Sequence, residues 1–180
     1  MAVMRCQLLV TATGEDRPGI VARITEVLVA HGANLEESRM ALLGGEFAAI
    51  MLVAVGEDRI DELVPALSHL RNEAITISAK RTNRLSQDRF QGYANCELVV
   101  SGADHEGIVF KVARFLQEKS INIQSMESDV VSAPVSATPL FCMRATVNVP
   151  PAVDLSELRQ KLKAIGDEES VEIEVKAAAV

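Results

Sequence analysis

The chain has few aromatic side chains and no excess of basic charge. Its 180 residues include no tryptophan, one tyrosine and five phenylalanines, and 18 Lys and Arg stand against 25 Asp and Glu, for a formal net charge of −7. Nucleic-acid binding needs basic side chains that neutralise phosphates, and RNA recognition adds aromatic stacking. The composition therefore argues against direct binding of nucleic acids.

Cysteine is also scarce. Cys6, Cys96 and Cys142 are odd in number and far apart in sequence, so neither a disulfide framework nor a CxxC metal site is predicted. The sequence has no basic-then-apolar leader and no apolar run long enough to span a bilayer. We therefore expect a soluble, cytoplasmic protein with reduced thiols, no metal and no cofactor.

Motifs typical of enzymes are absent from the sequence. There is no G-x-S-x-G elbow, no P-loop and no H-E-x-x-H pair. A general base needs a placed partner, and none is visible in the sequence for His31, His69 or His105, which we interpret as surface histidines. We expect a protein that is not an enzyme.

One segment joins a strand to a helix and is the candidate binding loop. Residues 13–21 have the sequence TGEDRPGIV and precede apolar residues that fall on one helical face. The first N–H groups of such a helix lack intrahelical partners, so Asp16 is predicted to cap them and Pro18 to occupy the first turn. Gly19 has no Cβ and lets the backbone approach a ligand in front of the helix, where an anion is favoured.

The same segment occurs a second time, 88 residues later. Residues 101–109 have the sequence SGADHEGIV. Such a repeat predicts two small domains, which we place at residues 1–81 and 93–180, joined by a polar linker at residues 82–92. The identities at this offset pair Gly14, Asp16, Gly19, Ile20, Val21, Leu28 and Asn34 with Gly102, Asp104, Gly107, Ile108, Val109, Leu116 and Asn122.

Each half of the chain predicts the order strand, helix, strand, strand, helix, strand. In the first half, Gly44-Gly45 predicts a two-residue hairpin turn between the second and third strands. In the second half a longer loop, residues 132–139, replaces this turn, and its two prolines are expected to stay out of the sheet. Right-handed crossovers then place two helices on one face of a four-stranded antiparallel sheet. The predicted class is α+β, with two ferredoxin-like βαββαβ domains.

The third strand of the first half is apolar on both faces. Residues 47–55 have the sequence FAAIMLVAV, whereas the equivalent strand of the second half alternates apolar residues with Cys142, Arg144, Thr146 and Asn148. A sheet with helices on one side only would leave one apolar face in water. We therefore expect the first sheet to be covered by the other domain or another chain, and the protein to form a homo-oligomer.

These motifs are similar to those of the ACT domain, a small regulatory module that binds amino acids. D-R-P-G-I at residues 16–20 opens the helix, and H-G-A-N-L at residues 31–35 enters the next strand. The second half has His105-Glu106 in place of Arg-Pro. Two such modules in a chain of this size resemble the family of glycine cleavage system transcriptional repressors.

The resemblance implies where a ligand would lie. In ACT domains the first strand-to-helix loop of one module typically faces the start of the second strand in a partner module. The carboxylate of an amino acid suits helix N–H groups, and its ammonium suits a carboxylate or amide oxygen. Carried over by position, the ligand-binding residues are Asp16, Arg17, Pro18, Gly19, Ile20 and Asn34, with Asp104, Gly107, Ile108 and Asn122 in the second half.

The two loops are expected to be unequal. Pro18 fixes the backbone that enters the helix, so less ordering entropy is lost when a ligand binds. Glu106, at the matching place, brings a negative charge that would repel a ligand carboxylate. The first loop is therefore predicted to be the better site.

The resemblance implies a non-catalytic regulator that binds glycine or another small amino acid. It would act through a protein partner, such as a transcriptional activator, in indirect regulation of glycine cleavage. In one alternative the site is vestigial and the chain is a structural or interaction subunit, in which Asp16, Gly19 and Asn34 serve only the fold. In another, the chain is an enzyme of acylphosphatase type, which needs a phosphate-cradling loop with an arginine, and Arg17 is the candidate.

Overall fold

The computed structural model describes residues 5–70, 75–82, 87–132 and 138–177. The chain divides into two compact units, Met1–Leu85 and Ser86–Val180. Within these ranges, each unit has four strands and two α-helices in the order β-α-β-β-α-β.

The first unit is a four-stranded antiparallel sheet in the order β2-β3-β1-β4. Gly44 and Gly45 join β2 to β3 with φ angles of 61° and 88°, which confirms the predicted hairpin turn. The elements are β1 (Arg5–Glu15), α1 (Ile20–Ala30), β2 (Asn34–Leu43), β3 (Glu46–Gly56), α2 (Ile60–His69) and β4 (Ile75–Thr82).

The second unit repeats this topology with the order β6-β7-β5-β8. Pro139 pairs with Ser132 at the start of β7, so the expectation that it stays out of the sheet is wrong. The first residue of a strand tolerates proline. Pro134 lies outside the described residues. The elements are β5 (Ala94–Ala103), α3 (Ile108–Glu118), β6 (Asn122–Ser132), β7 (Pro139–Val149), α4 (Leu155–Glu169) and β8 (Val171–Ala177).

Both helices of each unit pack on one face of its sheet, as predicted for a ferredoxin-like domain. Burying one such apolar side chain contributes about 1.5–3 kcal/mol. The core of the first unit includes Leu8, Val10, Ile24, Leu28, Met51, Val53, Leu63 and Leu67. That of the second includes Leu98, Val100, Val112, Leu116, Met143, Val147, Leu158 and Leu162.

Buried and exposed side chains alternate along part of the third strand of each unit. In β3, Met51 and Val53 are buried in the core, whereas Ile50 on the opposite face is 45% exposed in the single chain. Coverage of that face by the other domain or another chain stays a prediction. In β7, the alternating face is polar, with Cys142 and Arg144 exposed, but Asn148 at its end is only 4% exposed.

Only part of the predicted linker, residues 82–92, falls within the described residues. Thr82 ends β4, and Gln87–Phe90 form a turn of 3-10 helix before β5. The boundaries of the linker stay a prediction. Across the part of the chain that the structure describes, none of the helices combines the length and apolarity that crossing a membrane requires.

Candidate functional site

The first candidate loop, residues 15–20, connects β1 to α1. Gly19 is the N-cap of α1, with φ 98° and ψ −7°, and no side chain among the described residues caps the helix. An L side chain is strained at such a φ, so the position favours glycine. Beyond its two neighbours in the chain, no described residue has an atom within 4 Å of the place that a Cβ of Gly19 would take. The N-terminus of α1 is therefore open to a ligand.

Two predictions about this loop are wrong in detail. Asp16 does not cap the helix through its side chain, because Gly19 itself takes the N-cap position three residues later. The backbone N–H of Asp16 instead donates to the carbonyl of Gly45 at 3.0 Å, which ties the loop to the β2–β3 hairpin. Pro18 precedes the N-cap and lies outside the first turn. Both residues still lie beside the open helix end.

Arg17 in the first loop forms an ion pair with Glu15 at the end of β1. Arg17 Nη2 donates to Glu15 Oε2 at 2.6 Å, and both side chains are largely exposed, so the pair contributes little to stability. The Glu15 carboxylate beside Arg17 would repel a phosphate, which weakens the phosphate-cradle interpretation. Ile20 is buried in the core, so only its backbone N–H could contact a ligand, and that N–H donates to the carbonyl of Arg17 at 3.4 Å.

Asn34 lies at the opposite end of the sheet. It pairs with Ala54, which in turn pairs with Gln7 near the start of β1. Eight residue steps along β1 separate Gln7 from Glu15, which is about 26 Å at the rise of a β-strand. The structure therefore does not bring Asn34 to Asp16 and Gly19 within one unit. This separation agrees with a site that needs two modules.

The end of the sheet that carries Asn34 also contains a shallow pocket of about 510 Å³. Gln7 Nε2 donates to Glu36 Oε2 at 2.8 Å beside it. Arg81 donates to Glu57 at 2.6 Å. The pocket offers groups of both charges, which a zwitterion requires. Its lining residues are Arg5, Cys6, Gln7, Glu36, Ala54, Arg81 and Thr82.

In the second unit, amide side chains occupy the equivalent place. Asn122 Nδ2 donates to Asn148 Oδ1 at 3.0 Å, and Asn148 Nδ2 donates to Asn95 Oδ1 at 2.7 Å and lies 3.4 Å from Gln124 Oε1. We call these four residues the amide cluster. Asn148 corresponds in register to Ala54, so its side chain lies where the first unit has only a methyl group. The side chain of Asn122 is thus already engaged within its own unit.

The second candidate loop, residues 103–108, has the backbone geometry of the first. Gly107 is the N-cap of α3 at φ 98° and ψ −11°, the place that its Cβ would take has no described atom within 4 Å, and Ile108 is buried. The N–H of Asp104 donates to the carbonyl of Pro139 at 3.1 Å, as Asp16 does to Gly45. The two loops therefore differ in their side chains and not in their backbone.

Sequence interpretation missed how the second loop is held. His105 Nε2 lies 2.7 Å from the carbonyl oxygen of Glu169 at the end of α4, and its Nδ1 lies 3.0 Å from that of Glu106. The Glu169 side chain is nine-tenths buried and forms an ion pair with Lys111. A separation of 64 residues between His105 and Glu169 leaves no sequence signal for this contact.

The cysteines do not form part of either loop. Cys96 is buried, Cys6 is half-buried and Cys142 is exposed, and all three are free thiols. Burial raises the pKa of the Cys96 thiol, which keeps it protonated and unreactive. Within the described ranges, no three His, Cys, Asp or Glu side chains come together to hold a metal ion.

Comparison with known proteins finds a family match for the first unit and a relative that spans most of the chain. The ACT domain family matches residues 6–79. The glycine cleavage system transcriptional repressor of Escherichia coli (strain K12) is 27% identical over 158 residues, which are 88% of this chain and 83% of that protein.

Solved structures extend the likeness to nearly the whole chain. A crystal structure of an unknown protein from Galdieria sulphuraria is 32% identical, covers 98% of this chain and all of its own, and has a TM-score of 0.85. A candidate glycine cleavage system transcriptional repressor, 23% identical, shares the fold with a TM-score of 0.70 over 98% of this chain and 99% of its own. The first unit therefore matches the ACT domain family, the second unit repeats its fold, and the chain is similar over most of its length to the glycine cleavage system transcriptional repressor.

Proposed function

We propose that this protein is a non-catalytic cytoplasmic regulator that binds glycine or a similarly small amino acid at its first loop. It passes the signal to a protein partner, such as a transcriptional activator, in the indirect regulation of glycine cleavage. The relative that bears the name of a transcriptional repressor supports the regulatory role. The proposed binding residues are Asp16, Arg17, Pro18, Gly19 and Ile20, with Asn34 of a facing module.

The observation that carries this proposal is the open N-terminus of α1. A helix of 11 residues begins at a glycine with no side-chain cap from the described residues and with open space in front of it. Its first N–H groups and its dipole suit the carboxylate of an amino acid. The carboxylate of Asp16, which does not cap the helix, suits the ammonium group.

Differences between the units support the first loop as the better site. In the second unit His105 is bound to the carbonyl of Glu169, and Glu106 places a negative charge where the first unit has Pro18. The amide cluster engages Asn122, whereas Asn34 lies beside the pocket around Ala54. Asp104, Gly107, Ile108 and Asn122 are accordingly proposed as structural residues first and ligand contacts second.

Glycine is expected to stabilise the folded protein, whereas fragments of glycine are not. A ligand that binds only the native state adds about 2.7 kcal/mol at a hundredfold excess over its Kd. Thermal unfolding should be followed with each of the twenty amino acids, and with acetate and methylamine as controls that lack the ammonium or the carboxylate. If no amino acid raises the melting temperature more than these controls do, the alternative of an interaction subunit with a vestigial site is supported instead.

Duplex DNA is expected not to bind at physiological salt. With a formal net charge of −7, the chain must overcome repulsion before contacts to phosphates release counterions. An electrophoretic shift assay with random-sequence duplex DNA tests this, with the same assay at low salt as a control for weak electrostatic binding. A sub-micromolar shift at physiological salt would contradict the indirect role.

A further inference from the structure

The second unit contains an arrangement that its sequence repeat does not explain. His105 lies on the loop before α3, and both of its ring nitrogens are at hydrogen-bond distance from carbonyl oxygens, one on its own loop and one at the end of α4. A carbonyl oxygen only accepts hydrogen bonds, and a neutral imidazole has a single N–H. Both bonds can therefore form only when His105 is an imidazolium.

We propose that protonated His105 is a clasp that fastens the second loop to the C-terminal end of α4, and that this clasp opens as the pH rises. Loss of one proton removes one of the two hydrogen bonds and the positive charge together. The clasp concerns the second unit by itself and does not depend on ligand binding at the first loop.

The surroundings of His105 favour its charged form. The hydrogen bond to the Glu169 carbonyl, followed by that to the Glu106 carbonyl, raises the pKa of His105 above its ordinary value of 6.5, and nearby carboxylates act in the same direction. The C-terminal end of α4 adds the negative end of a helix dipole. The charged groups around the clasp are Asp104 and Glu106 on its own loop, Lys111 on α3, and Glu168 and Glu169 on α4.

Lys111 pairs with the side chain of Glu169, the residue whose carbonyl accepts a hydrogen bond from His105. Its ion pair with Glu169 raises the pKa of Lys111, so the lysine stays positively charged across the range in which His105 titrates. Glu169 Oε2 lies 3.9 Å from His105 Nδ1. In the first unit the place of His105 belongs to Arg17, which pairs with Glu15 on its own strand. The dependence on pH is thus specific to the second loop, because the first loop has an arginine at the matching place.

The stabilisation has a definite direction with pH. An unfolded histidine titrates near pH 6.5. Because folding raises the pKa of His105, the clasp stabilises the second unit fully below about pH 6.5 and loses its effect as the pH rises through the folded pKa. Alkalinisation should therefore loosen the loop of residues 103–107.

Two variants test the clasp in the full chain. His105→Gln removes the titrating group, and His105→Arg keeps a positive charge at every pH tested, as Arg17 does at the matching place. The single tyrosine, Tyr93, lies in the second unit and there is no tryptophan, so tyrosine fluorescence reports unfolding of that unit alone. Thermal unfolding should be followed between pH 5.5 and 9, and hydrogen exchange should be measured over residues 103–107.

The wild-type protein is expected to be more stable than His105→Gln at pH 5.5, and this difference should shrink as the pH rises to 9. The difference in stability between His105→Arg and His105→Gln should instead stay the same from pH 5.5 to pH 9. The imidazole resonance that disappears in His105→Gln should titrate above pH 6.5, and exchange of residues 103–107, corrected for its intrinsic pH dependence, should speed up through the same midpoint. A midpoint at or below 6.5, or a stability difference that does not change with pH, would overturn the clasp.

Discussion

Gly19→Ala is expected to weaken glycine binding about ten- to a hundredfold, since a lost hydrogen bond to a charged group costs about 1.5–3 kcal/mol. The new methyl group would lie in the space in front of α1, where the ligand carboxylate is proposed to bind. The positive φ of Gly19 would also be strained, which shifts the N–H donors behind it. Calorimetric titration with glycine measures the change directly.

Gly107→Ala is the matched control for this experiment. Gly107 has the same φ, a nearly identical ψ and the same open surroundings, so the strain of substitution should be equal, about 1–2 kcal/mol in either unit. Circular dichroism should first show that both variants are folded. The proposal that the first loop is the better site requires the larger loss of affinity at Gly19. Equal losses, or a larger loss at Gly107, would contradict it.

Gly102→Ala is expected to destabilise the second unit by about 1–3 kcal/mol, the usual cost of overpacking. A Cβ on Gly102 would lie 2.7 Å from Val171 Cα and 2.9 Å from the carbonyl oxygen of Ser170, and both are backbone atoms that cannot rotate away. Strand β8 must therefore move away from β5. Urea unfolding followed by the fluorescence of Tyr93 measures the loss.

Ser101→Ala provides the control for Gly102→Ala. Ser101 is the neighbouring residue of the same strand and its side chain is exposed, so the substitution should leave the unfolding midpoint nearly unchanged. Similar midpoints for Gly102→Ala and Ser101→Ala would show that β5 and β8 tolerate a wider spacing. The displaced β8 begins beside Glu169, so Gly102→Ala should also weaken the bond between His105 and α4.

The architecture could be predicted from the sequence because its signals are local. Gly44-Gly45 accepts two positive φ angles and thereby defines a hairpin, and the repeat at an offset of 88 residues carries the same order of elements into the second half. The start of the first helix is less well predicted. Asp16 has the residue type of a cap, but Gly19 can take the left-handed conformation and is the N-cap itself.

The details of the site depend on contacts between distant residues, which explains why they could not be predicted. Asn148 alternates correctly as a strand residue, yet it is buried because Asn95 and Asn122 approach it from neighbouring strands. His105 has the sequence context of a surface histidine because its partner, Glu169, is 64 residues away. The residue types of the first loop are sufficient to nominate it, since its open helix end follows from Gly19.

The distance between Asn34 and Gly19 bears on how ligand binding could be communicated to a partner protein. A free amino acid is far too short to contact both ends of one sheet, which are about 26 Å apart. A ligand that contacts both residue types must therefore act as molecular glue between two modules. By thermodynamic reciprocity, whatever holds the modules together would raise the affinity for the ligand, and the ligand would strengthen their association by the same factor. The concentration of the amino acid would then determine how many modules are associated, and a partner would recognise that assembly state.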